Sequence, residues 1–91
     1  MIVARRFVVS GSVQGVGYRF FVYEAALREN LNGWVRNRPD RSVEAQVEGE
    51  QEAVMRFERA IRQGPPHARV DRVETDIVDP TGRATGFSIR G

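Results

Sequence analysis

The chain has 91 residues, 41% of them hydrophobic and 29% charged, and its fourteen basic and twelve acidic side chains leave a formal charge of +2. That length holds one core, because two would have about 45 residues each, near the size at which folds need disulfides or metals. With no cysteine and a single histidine, His67, a disulfide framework, a thiolate nucleophile and a cysteine-based zinc site are excluded. No apolar run approaches the roughly 20 residues that cross a bilayer, and the start runs into strand-like sequence without a signal-peptide pattern. The expectation is one domain over residues 1–91, cytoplasmic, monomeric and without a membrane partner. Every basic residue is arginine, and the arginines are interleaved with acids from Arg5 to Arg90, the pattern of a solvated surface and not of a polyanion-binding tail.

Residues 3–13 put Phe7, Val9, Gly11 and Val13 on one side and Arg6, Val8, Ser10 and Ser12 on the other, the period of a strand. QGVGY breaks that pattern, and a helix is predicted from about Phe20 to Leu31, ending in the stop signals Asn30, Asn32 and Gly33. GWVRN (33–37) and SVEAQVEG (42–49) read as strands joined in a hairpin by the turn-rich RPDR. After Glu50, Gln51 and Glu52, the residues Val54, Phe57 and Ile61 recur at helical spacing, with acids in the first turn and Arg56, Arg59 and Arg62 toward the end. GPP (64–66) stops that helix. In the fourth strand Ala68 and Val70 share one parity and Val73, Thr75 and Ile77 the other, which predicts a β-bulge near Asp71 and Arg72. DPTGRATG is a loop and FSIRG a short last strand. The order βαββαβ with one extra strand predicts an α+β ferredoxin-like sandwich, a mainly antiparallel sheet with two helices on one face.

Chemistry enters at the first strand-to-helix turn. A glycine-containing turn feeding a helix points consecutive backbone N–H groups at one spot, and the helix terminus adds partial positive charge there. Gly15 and Gly17 free the backbone to approach a ligand, and Arg19 is placed for a bidentate contact to phosphate or carboxylate. Most such turns bind nothing, and this one matches neither GxxxxGK[ST] nor GxGxxG.

The full string G-S-V-Q-G-V-G-Y-R, Gly11 to Arg19, resembles the acylphosphatase signature G-x-V-Q-G-V-x-[FY]-R. GWVRN followed by Asp40 and SVE resembles that family's G-W-V-x-N-x-x-D-G-x-V-E, and GPPHARV (64–70) its G-P-P-x-A-x-V. The resemblance spans nearly the whole chain in order. It implies a hydrolase that converts small-molecule acyl phosphates to a carboxylate and inorganic phosphate, with no cofactor. By position in the motif, Arg19 matches the arginine that binds the phosphoryl group, and Asn37 the asparagine that holds the attacking water. Gln14, Gly15, Val16, Gly17 and Tyr18 match the phosphate-binding loop. One departure stands out: Arg41 occupies the position after the aspartate where the family has glycine, so a turn residue needing positive φ is strained or the turn differs.

The residue types fit that chemistry. Phosphoryl transfer asks a protein to stabilise charge on the equatorial oxygens and to place the nucleophile in line. Amides and a guanidinium do the first; a carboxamide, donor and acceptor at once, does the second. The leaving carboxylate, whose conjugate acid has a pKa of about 4 to 5, departs unprotonated, so neither a general acid nor a metal is implied. Tyr18 and Phe20, flanking Arg19, read as core, with the acyl side of the site as the alternative; Trp34 reads as packing and His67 as non-catalytic. Arg36 and Arg38 either draw in substrate or are solvated hairpin charges, and Asp40 begins the turn. The rival from another class is an RNA-binding ferredoxin-like module. Against it, the chain lacks R-G-[FY]-[GA]-F-V-x-[FY] and paired aromatics on its strands, and no nucleic-acid partner is expected. A narrower alternative is an acylphosphatase-like domain acting in carbamoyl-phosphate chemistry.

Overall fold

The period-two alternation of the first residues becomes strand β1 (Ile2–Ser12), and the elements that follow are α1 (Tyr18–Arg28), β2 (Asn32–Asn37), β3 (Val43–Glu50), α2 (Gln51–Gln63), β4 (Arg69–Val78) and β5 (Phe87–Arg90). They come from a computed structural model that describes residues 1–91. The sheet order is β4-β1-β3-β2-β5. All pairings are antiparallel except that of the short β5, which runs parallel to β2 along one edge.

One parity of the strands supplies the core. Phe7, Val9, Val35, Val43, Ala45 and Val47 are buried in one cluster with Tyr18, Val22, Ala25 and Ala26 of α1 and Ala53, Val54, Phe57 and Ile61 of α2. The helices therefore share one face of the sheet, as the ferredoxin-like plan requires, and the Phe7 and Phe57 rings meet at 5.8 Å. The opposite parity carries charge. Glu44, buried on the face away from the helices, accepts hydrogen bonds from Arg6 and Arg36, and Arg6 also reaches Asp76.

The predicted bulge is present: Ser10 pairs with Arg72 and Gly11 with Val70, leaving Asp71 as the extra residue. The first helix ends at Arg28, three residues before the expected Leu31, with its first stop signal closing it. Asn30 takes a left-handed φ of 56°, Asn30 N–H donates to Leu27 O, and Leu31 N–H donates to Ala26 O, a Schellman closure that buries Leu31. Its start differs from expectation by two residues, because Gly17, at φ 77°, lets the chain turn directly into the helix.

The β2–β3 turn resolves the question raised by Arg41. Arg41 N–H donates to Arg38 O, Arg38 N–H donates to Ser42 O, and Arg41 itself sits at φ 75°. The left-handed position of a three-residue hairpin loop is thus held by a side-chain-bearing residue. Asp40 lies inside this turn, where its Oδ1 accepts from both the backbone N–H and the hydroxyl of Ser42; these bonds, with smaller help from the Arg38 charge, hold its carboxyl below the usual range. No helix is long and apolar enough to cross a membrane.

Candidate active site

The β1–α1 turn leaves its donors free. None of the backbone N–H groups from Gln14 to Phe20 donates to a backbone or side-chain acceptor, the first such bond of the helix being Phe21 N–H to Gly17 O. The first turn of α1 has no side-chain cap and no acid. A helix start of this kind carries partial positive charge with nothing in the protein to answer it.

Gly15 and Gly17 shape the run. They adopt φ 76° and 77°, and a Cβ at either position would meet nothing within 4 Å. Glycine is required there by backbone conformation, and the space beside each is open.

A pocket of about 230 Å³ opens at this turn, lined by Val13, Gly15, Gly17, Tyr18, Arg19, Phe20, Asn37 and Ile89. The volume is below the roughly 300–1,000 Å³ typical of drug-sized ligands and suits a small anionic group. Arg19 and Asn37 thus meet in one cavity although they stand on different elements, the first turn of α1 and the last residue of β2. The guanidinium of Arg19 donates to the backbone carbonyl of Arg90 in β5 at 2.7 Å. That bond leaves further N–H donors of the fork for a ligand.

Asn37 carries the anomaly of the site. Its Oδ1 is buried and accepts no hydrogen bond, a rare condition that costs about 1–3 kcal/mol. A half-turn about χ2 exchanges the two ends of the carboxamide, so the group offers the pocket either a donor or an acceptor.

The other residues of the loop divide by task. The side chain of Gln14 leaves the pocket: its Nε2 donates to Arg38 O at 3.0 Å and to Ser42 O at 2.9 Å, bracing the turn that follows Asn37. Val16 packs its side chain on the core. Neither residue lines the cavity, although the backbone N–H of each has no protein acceptor. Tyr18 is core, as expected, with its hydroxyl donating to Ile61 O at 2.6 Å; burial pushes its phenol far above the ordinary value, so it stays neutral and does not relay protons.

Two expectations are corrected. Phe20 is not core: it is exposed at the pocket rim, while Tyr18, two residues before it, takes the inward position of the turn. Trp34 lies outside the core cluster, on the face away from the helices, since its neighbour Val35 takes the inward parity; the Arg90 guanidinium lies 4.6 Å from its ring centroid. Of the two readings open for Arg36 and Arg38, hairpin charges are favoured: they pair with Glu44 and Asp40 and do not line the cavity. His67 is exposed and lies outside the pocket lining.

The sequence predicts β5 as a short last strand but not its place at the site. Ile89 lines the pocket and Arg90 O holds Arg19, yet the only local signal was a four-residue strand. What brings it to the site is its parallel pairing with β2, Val35 opposite Ile89, a contact across half the chain.

The acylphosphatase family model matches residues 5–89. An acylphosphatase of Anaeromyxobacter dehalogenans is 51% identical over 88 residues, 97% of this chain and 95% of its own. The crystal structure of acylphosphatase from Bacillus subtilis superposes with a TM-score of 0.93 at 36% identity, covering 100% of both chains. Full-length HypF, in a phosphate- and nucleotide-bound form, superposes with a TM-score of 0.86 at 33% identity over 100% of this chain, which spans 12% of that one. With a matching family model over almost all its residues and a relative of the same extent at half identity, the chain belongs to the acylphosphatase family.

Proposed function

We propose that the chain hydrolyses small acyl phosphates by metal-independent, in-line attack of a water on phosphorus, with Arg19 and the N–H groups of the Gln14–Arg19 loop holding the phosphoryl group and Asn37 holding the water. One observation carries this reading: in a run of unpaired backbone donors from Gln14 to Phe20, Gly15, Gly17, Tyr18, Arg19 and Phe20 line the same pocket as Asn37, whose buried Oδ1 has no protein partner.

The chemistry follows from those groups. Amides fixed by Gly15 and Gly17 need no reorganisation as charge builds on the equatorial oxygens, which is where preorganised donors lower a barrier most. Arg19, positioned by the Arg90 carbonyl, supplies the positive field that a metal ion gives other phosphoryl-transfer sites. The water oxygen bonds to phosphorus as the bond from phosphorus to the carboxyl oxygen breaks. The electron pair leaves with the carboxylate, and the water's proton passes to a phosphoryl oxygen. The pocket lining contains no histidine and no carboxylate, which suits a leaving group stable as its anion and disfavours phosphate monoesters, whose alkoxides need a proton.

The test is phosphate release from benzoyl phosphate and from phenyl phosphate, each with and without chelator. Release from benzoyl phosphate alone, undiminished by chelator, is expected. Comparable release from both, or from neither, overturns the proposal.

A further inference from the structure

The phosphoryl half of the pocket is polar, but its mouth is not. Of the four apolar residues lining it, Val13 and Tyr18 are buried to 1% exposure and form the floor, whereas Phe20 and Ile89 are 56% and 40% exposed. Apolar side chains at the mouth of a polar cradle gain from contact with an apolar part of a bound ligand, because that contact removes both surfaces from water. Phe20 is also held in place. Its ring stacks on Tyr23 at 6.1 Å with 26° between planes, and Tyr23 in turn meets the buried Phe87 at 6.3 Å. An aromatic line thus runs from the core to the rim. Ile89 is fixed from the other element by the pairing of β5 with β2.

Resting on the proposed hydrolysis, we infer that Phe20 and Ile89 bind the acyl group, so that the site selects acyl phosphates with apolar chains or rings over those with polar or minimal acyl groups. Once the phosphoryl oxygens occupy the amides and Arg19, the substituent on the carboxyl carbon is the part of the substrate that protrudes, and the exposed surface left to it is apolar. A carbamoyl group, with an amine where acetyl has a methyl, gains nothing from that surface and loses hydration of its N–H groups. A longer alkyl chain gains about 2- to 4-fold in kcat/KM for each methylene that leaves water, the upper figure corresponding to full burial at about 0.8 kcal/mol.

The test is kcat/KM for the straight-chain series acetyl, propionyl, butyryl and hexanoyl phosphate. The parent acids are of nearly equal strength, so the series varies apolar contact without varying the leaving group. Carbamoyl phosphate is run beside it. The wild type is expected to rise about 10-fold or more from acetyl to hexanoyl and to favour acetyl over carbamoyl. Phe20→Ser and Ile89→Ser should each flatten the rise, and Phe20→Leu should restore most of it. The ratio between two substrates is independent of the fraction of folded enzyme, so partial misfolding of a variant leaves it unmoved. A wild type that hydrolyses the series with no dependence on chain length, or variants that keep the wild-type slope, overturns the assignment of the rim and leaves the hydrolytic reading intact. Failure to hydrolyse any member removes both.

Discussion

Replacing Asn37 with alanine separates the two consequences of an unpartnered buried acceptor. In the folded protein Oδ1 is buried and no protein group donates to it, so deleting it removes a desolvation cost of about 1–3 kcal/mol. Against this stands the loss of side-chain packing for a half-buried residue, about 1 kcal/mol. The Gln14 brace to Arg38 O and Ser42 O and the pairing of Asn37 with Val43 are backbone or neighbouring contacts and survive the change. The net is a stability equal to the wild type or up to about 2 kcal/mol above it. For a chain of this size, each 1 kcal/mol corresponds to about 4–8 °C in Tm. Turnover should move the opposite way. Loss of the group that places the nucleophile is expected to lower kcat about 100- to 1000-fold, with inorganic phosphate still binding as a competitive inhibitor, because Arg19 and the loop amides are untouched. Calorimetry and steady-state kinetics on benzoyl phosphate read both sides. A variant whose Tm falls by more than about 4 °C while kcat stays near wild type would refute the reasoning, making Asn37 a packing residue.

Three further outcomes are expected. Arg19→Gln should abolish measurable turnover and, unlike Asn37→Ala, weaken phosphate inhibition as well, which competition kinetics would reveal. Arg41→Gly relieves a side chain from a left-handed φ of 75°; after the greater entropy of glycine in the unfolded chain, about 0.5–1 kcal/mol of stabilisation remains, visible as a Tm rise of a few degrees. For Glu44, burial pushes the carboxyl up, but hydrogen bonds from Arg6 and Arg36 and their charges outweigh it and hold the group below its ordinary value. A carboxyl with a lowered folded pKa adds stability that is present above the unfolded value near 4.3 and is lost as pH falls through the folded one. Glu44→Gln should therefore cost about 1–3 kcal/mol at pH 7, the range for charged hydrogen bonds, and flatten the loss of Tm below about pH 4.

What could be read from the residues followed how local the cause was. The alternation of β1, the parity break at Asp71 and the stop at Asn30 are each set by a few neighbouring side chains, and each is found in the fold. The loop from Gln14 to Arg19 reads as a candidate cradle because its glycines and its entry into a helix are contiguous. Its association with Asn37 was legible only through the family motif, since nothing in the spacing of the two segments says that the end of β2 lies beside the start of α1. Phe20 and Trp34 were misread for a shared reason. An aromatic residue next to a core residue looks like core, but its exposure depends on which neighbour holds the inward position. Tyr18 and Val35 hold the inward positions and leave Phe20 and Trp34 outside. The wall built by Ile89 and the Arg90 carbonyl depends on a parallel strand pairing across half the chain, which four residues of sequence do not announce.

The central claim is that water attacks phosphorus, not the acyl carbon, in a cradle formed by the Gln14–Arg19 loop and Asn37. Hydrolysis of an acyl phosphate in water enriched in oxygen-18, followed by mass spectrometry of both products, tests it directly. The heavy oxygen should appear in inorganic phosphate and be absent from the carboxylate; label in the carboxylate would contradict the account.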